Sequence, residues 1–298
     1  MRAIDEPAHA DPAPAPAEDD AIRSSDLPLG RAVEFPRRYD PGLLVALPRA
    51  PERRALGLAG DRWPHHGADL WRAWEVSWLD RRGKPQVAIA EIEVPAGSPR
   101  LVESKSLKLY LGSLNNVREA NAGAVAARVR ADLEAVIGAP IQVRLVAPAA
   151  FAARTADAWE GERLDDLEVE CDTYTVEPRL LAAPGAIDRG VVRSASYITD
   201  LFRSRCPITA QPDWASVRVD VRGPAIDPAA LLRYLISYRD HGGFHEHCVE
   251  RIFTDLAAAW EPEALGVAAC FTRRGGLDIN PWRSTCKPRW SPPRLPRQ

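Results

Sequence analysis

The sequence predicts an α+β fold in which a hairpin-plus-helices unit occurs twice along one chain. Three observations point to it. Two apolar runs, Asp69 to Ser77 and Gln86 to Val94, flank the polar turn Asp80-Arg81-Arg82-Gly83-Lys84-Pro85, as in a β-hairpin. The stretch Asn121 to Ile137 is alanine-rich, free of proline, and spaces its apolar residues three and four apart, as a helix does. Finally, Leu109-Tyr110-Leu111-Gly112-Ser113 resembles Arg233-Tyr234-Leu235-Ile236-Ser237. Each is followed by a short polar break and a helix ending Arg-Ala-Asp-Leu at 130–133 or Phe-Thr-Asp-Leu at 253–256, with Tyr-to-Asp separations of 22 and 21 residues. Duplication of one unit would produce this pattern, and so would chance matching of alanine-rich helices; the preserved order and spacing favour duplication.

Residues 1–26 are dominated by alanine, proline and acids, with no apolar core of a signal peptide, and read as a disordered tail. Leu27 to Arg62 is proline-rich and reads as extended chain and turns. After the hairpin, Pro95 to Pro99 breaks the pattern, Leu101 to Leu114 follows, and Ile141 to Val146 reads as a short strand. Glu162 to Cys171 and Thr173 to Val176 suggest further strands. Pro178 to Gly190 is a proline and glycine linker, which places the division between units 27–180 and 181–298. Val191 to Thr199 and Ser216 to Val221 read as strands around the turn-rich segment Arg203 to Trp214. A second helical stretch starts at Pro228, breaks at Asp240-His241-Gly242-Gly243 and resumes to about Trp260. Val267 to Arg273 is strand-like, and Asp278 to Gln298, with five prolines, reads as a surface wrap.

Composition narrows the function. The chain has 298 residues, 46% hydrophobic, with 39 basic and 41 acidic side chains and a formal charge of -2. That balance gives no reason to expect a nucleic-acid-coating or polybasic membrane-binding protein. No run of about 18 apolar residues occurs, so no transmembrane helix is expected and the cytoplasm is the default location. Cys171, Cys206, Cys248, Cys270 and Cys286 are odd in number, widely spaced and form no CxxC pair. No GxGxxG follows a strand and no GxxxxGK[ST] occurs, so a nucleotide, if bound, uses neither a Rossmann nor a P-loop cradle.

Four segments could carry chemistry. In Ser204-Arg205-Cys206-Pro207-Ile208-Thr209-Ala210-Gln211-Pro212-Asp213-Trp214, a cysteine beside Arg203 and Arg205 lies seven residues from an aspartate across a turn. The two could converge as nucleophile and proton donor, or be an inert loop cysteine and a surface carboxylate. Phe244-His245-Glu246-His247-Cys248 has three readings: a recognition patch in which Glu246 accepts from a donor-rich base edge, a metal site using His241, His245 and His247 or Cys248, or a plain helix start. His241 and His245 share a face only if one helix includes both. Glu103-Ser104-Lys105-Ser106-Leu107-Lys108 offers cations and hydroxyls to phosphate and a glutamate to a guanine-like edge, or is an ordinary helix start with serine capping. Arg273-Arg274-Gly275-Gly276 is a basic turn that could hold phosphate.

Together these segments resemble the NADPH-dependent 7-cyano-7-deazaguanine reductases of the queuosine pathway, in their long two-module form. The motifs are Glu103 to Tyr110, Cys206-Pro207-Ile208-Thr209 with Gln211-Pro212-Asp213, His245-Glu246 to Glu250-Arg251, and Arg273 to Gly276 with Asp278-Ile279-Asn280-Pro281. The resemblance spans roughly residues 27 to 290 and holds order and spacing throughout. It implies tandem tunnelling-fold (T-fold) modules, antiparallel sheets with helices on one face, assembled into a barrel-like oligomer; a homodimer is expected, and the charge balance gives no nucleic-acid or membrane partner to expect. It implies Cys206 as the nucleophile forming a thioimide and Asp213 as proton donor. Val102, Glu103, Ser104, His245 and Glu246 would hold the deazaguanine, and Ser104, Lys105, Arg274 and Gly275 would hold NADPH. No metal is expected, since closely spaced ligands are lacking beyond the His241–Cys248 cluster. A zinc-using enzyme of the same fold and a non-catalytic purine-binding module are the alternatives.

Overall fold

The computed structural model describes residues 35–58, 63–154, 156–286 and 293–298. The tail expected over 1–26 lies outside the described residues. The main sheet begins with the expected hairpin, β2 (His66–Leu79) and β3 (Pro85–Pro95). Its turn closes because the Asp80 carboxylate accepts from the backbone N–H groups of Arg82 and Lys84, at 2.9 and 3.0 Å, while Gly83 takes a φ of 86°. Short strands β1 (Ala46–Pro48) and β4 (Arg100–Val102) pair as a separate two-stranded ribbon. The remaining strands are β5 (Gln142–Val146), β6 (Glu162–Arg163), β7 (Ile187–Arg205), β8 (Pro212–Ile226), β9 (Ala264–Phe271) and β10 (Leu277–Ser284). The eight-stranded sheet runs β5-β3-β2-β10-β9-β8-β7-β6, antiparallel except at β6–β7.

Among the described residues five α-helices accompany it: α1 (Ala50–Ala55), α2 (Ser104–Ser113), α3 (Ala122–Ile137), α4 (Pro228–Ile236) and α5 (His245–Trp260). In α3 the stripe Val125, Val129, Leu133 and Ile137 is fully buried, Asn121 caps the N-terminus and Gly138, at φ 78°, ends the helix. Alternate residues of β2 and β3, such as Trp71, Ala73, Ile92 and Val94, join α2 and α3 in one core. Those of β8 and β9 join α4 and α5 in a second. The helices thus cover one face of a large antiparallel sheet, an arrangement consistent with the tunnelling fold.

The sequence repeat has a structural counterpart in three matched bonds. Tyr110 donates to Asp132 at 2.5 Å and Tyr234 to Asp255 at 2.7 Å. The Ser113 hydroxyl donates to the Tyr110 carbonyl and that of Ser237 to the Tyr234 carbonyl, both at 2.6 Å. Each serine hydroxyl also accepts a backbone N–H from an acid that precedes a proline, Asp40 in one case and Glu177 in the other.

Several expectations are corrected. The proline-rich approach to the hairpin holds β1 and α1, because Pro51 stands in the first turn of α1, where its missing N–H costs nothing. The acidic stretch 162–176 forms strand only at β6. β7 and β8 extend well past the expected limits, so the turn between them shrinks to residues 206–211. The surface wrap expected from Asp278 fails at its start and at two later positions: 277–284 is a central strand, and Leu295 and Gln298 are buried. Pro281 is accommodated where β10 pairs with β2 but has not yet met β9, whose pairing starts at Trp282.

Candidate active site

The β7–β8 turn is built to present Cys206. The Cys206 N–H donates to the Gln211 carbonyl at 2.9 Å and the Ala210 N–H to the Cys206 carbonyl at 3.0 Å. Ala210 takes a φ of 54° to close this loop, a strained conformation for a residue with a Cβ. The backbone N–H of Thr209 then points at Cys206 Sγ, 3.5 Å away. The cations expected to favour the thiolate are engaged elsewhere: Arg205 pairs with Asp240 and Arg203 lies over Trp214. The turn is tied to the start of α5, since the Arg205 N–H donates to the His241 carbonyl and the Gly243 N–H to the Arg205 carbonyl. The glycine pair there is therefore anchored rather than a flexible approach. α5 begins at His245, so His241 and His245 do not share a helix face.

Cys206 and Asp213 line one cavity of about 490 Å³. Val102, Ser104, Lys105, His245, Glu246, Arg274 and Gly275 line it too. Asp213 is 3% exposed; it is bonded by Arg274 and faces His245 Nε2 at 3.7 Å. Burial opposes its charge, but His245 and Arg274 overcome this and hold the carboxyl below the usual aspartate range. His245 in turn packs edge-on against Phe271, with centroids 3.9 Å apart. Glu246 is 2% exposed and its Oε1 has no hydrogen-bond partner. Burial pushes this carboxyl up to about 7, Asp69 adds to the rise, and His245 and Arg49 oppose it. An unpartnered, buried acceptor facing a cavity is costly unless a ligand supplies the donor.

Glu103 is the one proposed residue that the cavity does not include. It caps α2, accepting from the N–H groups of Lys105 and Ser106, both at 2.7 Å, and from the Ser104 hydroxyl. The helix start is thus capped by glutamate rather than by serine. Ser106 also turns inward, donating to the Glu103 carbonyl and accepting from the Val45 N–H. Arg273 lies over Trp74 at 4.2 Å, whereas its neighbour Arg274 reaches the cavity and bonds Gln211 as well as Asp213.

Comparison with known proteins decides the family. A family described as "Nitrile reductase, 7-cyano-7-deazaguanine-reductase N-term" matches residues 35–145, and one described as "QueF-like protein" matches residues 212–290. A protein of Bordetella parapertussis named NADPH-dependent 7-cyano-7-deazaguanine reductase is 51% identical over 261 residues, 87% of this chain and 93% of that one. Proteins of the same name from Stenotrophomonas maltophilia and Chromobacterium violaceum are 50% and 47% identical, each over 87% of this chain and over 93% and 91% of their own. The chain belongs to the 7-cyano-7-deazaguanine reductase family. A solved structure described as the archaeosine synthase QueF-Like in the apo form covers 33% of this chain and 96% of its own, at 20% identity and a TM-score of 0.29.

In this 7-cyano-7-deazaguanine reductase family member the cavity also has features that sequence reasoning missed. Trp71, Phe244, Phe271 and Ile279 give it apolar walls, with Phe35 also on its lining. Such residues read as core in a sequence, and only their convergence on one cavity marks them. A trough of about 520 Å³ on the sheet, lined by Arg72, Trp74, Arg144 and Arg294, contains no nucleophile and acid pair. Of the other cysteines, Cys248 and Cys270 are buried, and burial pushes the Cys248 thiol up to about 12. Among the described residues no group of three or more His, Cys, Asp or Glu side chains could hold a metal, and no helix is long and apolar enough to cross a membrane.

Proposed function

We propose that this chain reduces the nitrile of 7-cyano-7-deazaguanine to the aminomethyl group with NADPH, through a thioimide on Cys206, as a step of queuosine tRNA-modification biosynthesis. The observation that carries this reading is one cavity that joins a cysteine, a buried aspartate and a buried carboxylate with an unpartnered oxygen. Glu246 Oε1 offers an acceptor to the paired N–H donors of a guanine-like edge. His245 and the 102–104 segment flank it, with Glu103 acting here as the cap that fixes Val102 and Ser104.

The chemistry balances on these residues. Asp213, ionised between Arg274 and His245, takes the Cys206 thiol proton. The sulfur adds to the nitrile carbon, one C–N π bond opens, and the nitrogen receives the proton from Asp213, leaving a neutral thioimide. The Thr209 N–H supports negative charge on sulfur while it lasts. Residues for the cofactor fit as well. Lys105, Lys108 and Arg274 bring cations to the same cavity, and Gly275, at φ 58°, lacks the Cβ that would stand 3.2 Å from Lys108 Nζ. When bound, each NADPH would supply one hydride, so the four-electron reduction needs two NADPH in succession.

The reading carries with it two tunnelling-fold units dividing near residue 180, supported by the matched tyrosine and serine bonds, and a cytoplasmic homodimer without a nucleic-acid partner. Absorbance at 340 nm tests the function: NADPH should be consumed only when the nitrile is present, and no consumption would return the chain to a non-catalytic binding role. Arg274→Ala should weaken NADPH binding by about tenfold or more, the loss expected for a charge-assisted hydrogen bond, with much less effect on the base. A nucleotide titration with unchanged affinity would remove Arg274 from the cofactor site.

A further inference from the structure

Behind Glu246 lies a buried ionic network that no part of the reaction uses. Arg49, at the start of α1, bonds Asp69 of β2 and reaches Glu250 at 3.5 Å and Ser98 at 3.1 Å. Arg283 of β10 bonds Asp69 and Glu250, both at 2.8 Å, and Arg53 of α1 bonds Glu250 at 2.7 Å. All five side chains are 0% exposed. Three guanidinium groups face two carboxylates, so the network carries one positive charge in excess. Glu250 sits one turn after Glu246 on α5, which places Glu246 at the network's edge, toward the cavity. An ionised Glu246 neutralises the excess.

We propose that Arg49 and Asp69 are positioning residues for the base-recognising carboxylate: from the network that Glu250 anchors one helical turn along α5, they set the charge it carries when the base arrives. The proposal rests on the function read above, since it needs the base at Glu246. The other titratable groups near Glu246 are His245, His247 and Cys248 on its own helix and, around the cavity, Asp213, Arg274, Lys105 and Lys108; burial holds His247 down at about 4 and pushes Cys248 up to about 12, outside the range tested below. Asp69 and Arg49 differ from these in lying on the protein side, where no ligand displaces them. They also act in opposite directions on Glu246, Asp69 raising and Arg49 lowering its affinity for a proton. Burial does most to raise this carboxyl, to about 7, Asp69 and Arg49 adjust it from the protein side, and the donors of the base complete its ionisation.

The test is calorimetric titration of 7-cyano-7-deazaguanine into protein carrying Cys206→Ala, which blocks the covalent step, from about pH 5.5 to about pH 8.5. Affinity should rise with pH through a midpoint near that of free Glu246, because the ionised carboxylate is the acceptor. Adding Asp69→Asn removes an anion and should move the midpoint about one pH unit toward acid; adding Arg49→Met removes a cation and should move it about as far toward alkali. Arg49→Lys keeps the charge and should leave the midpoint in place. A purely structural pair would weaken binding in both variants with the midpoint unmoved, and that result overturns the proposal. If one variant does not fold, the other decides by the direction of its shift. If neither folds, the pair is scaffold and the assignment is overturned. Failure of the function itself reads differently: the parent would then bind no base at any pH, and the enzyme with Cys206 intact would oxidise no NADPH.

Discussion

Cys206→Ala should abolish nitrile reduction while leaving binding of the base close to that of the parent protein. The expected loss is on the order of the full covalent contribution to rate, to below detection in an NADPH-consumption assay. No other thiol lines the cavity, and Cys248 is both buried and raised to about 12, so it cannot substitute. Cys206→Ser should fail equally. A serine hydroxyl fits the same turn beside the Thr209 N–H, but an alkoxide is far harder to form near neutral pH than a thiolate. Retained base binding, measured by calorimetry, separates loss of the nucleophile from loss of the cavity. Asp213→Asn belongs with these variants: it keeps the shape and loses the proton carrier, so it should bind the base and react poorly.

The largest expected effect on stability is at Glu250. This carboxylate accepts from Arg53, Arg49 and Arg283, all without solvent contact. Glu250→Gln leaves three buried guanidinium groups against one carboxylate, and breaking a buried pair in this way costs about 3–5 kcal/mol. Thermal unfolding should shift down by roughly 10 °C for a chain of this size. The pH dependence has a definite sign. Burial opposes the charge of Glu250, but Arg283, Arg53 and Arg49 overcome this and hold it at about 2, against an ordinary value of 4.5. A carboxyl lowered on folding adds stability above its unfolded value, and that contribution is lost as pH falls from about 4.5 toward 2. Glu250→Gln should therefore be less stable than the parent at neutral pH and should lose less further stability over that acid range. A melting temperature within about 2 °C of the parent at pH 7 would contradict the network's structural weight.

Much of this molecule was legible in its residues, where local physics dictates the outcome. The α3 stripe, the Asp80–Gly83 turn and the convergence of Cys206 with Asp213 across a tight turn are all short-range consequences of spacing. The Tyr110–Asp132 and Tyr234–Asp255 bonds give the repeat a concrete meaning, since the conserved separation within the chain is the reach of one hydrogen bond between packed helices. What escaped depends on long-range partners. Pro281 argues against a central strand until β10 is known to meet β9 only one residue later. Arg49, Arg53 and Arg283 carry no local signal, because nothing nearby in the sequence shows that Asp69 and Glu250 will be buried beside them. Arg203 and Arg205 stand next to Cys206 in sequence, yet strand alternation and the Asp240 pair take them away from it. Glu103 lies inside a motif that resembles a base-binding signature, and its carboxylate nonetheless turns back to cap α2.

Intact-mass measurement of the enzyme incubated with 7-cyano-7-deazaguanine in the absence of NADPH tests the central claim most directly. Addition of the thiol to the nitrile needs no hydride, whereas resolution of the thioimide does, so the reaction should stop after its first step. The mass should rise by that of one substrate per active site, peptide mapping should place the adduct on Cys206, and added NADPH should discharge it. An adduct on Cys248, or nitrile reduction that persists in Cys206→Ala, would contradict the account.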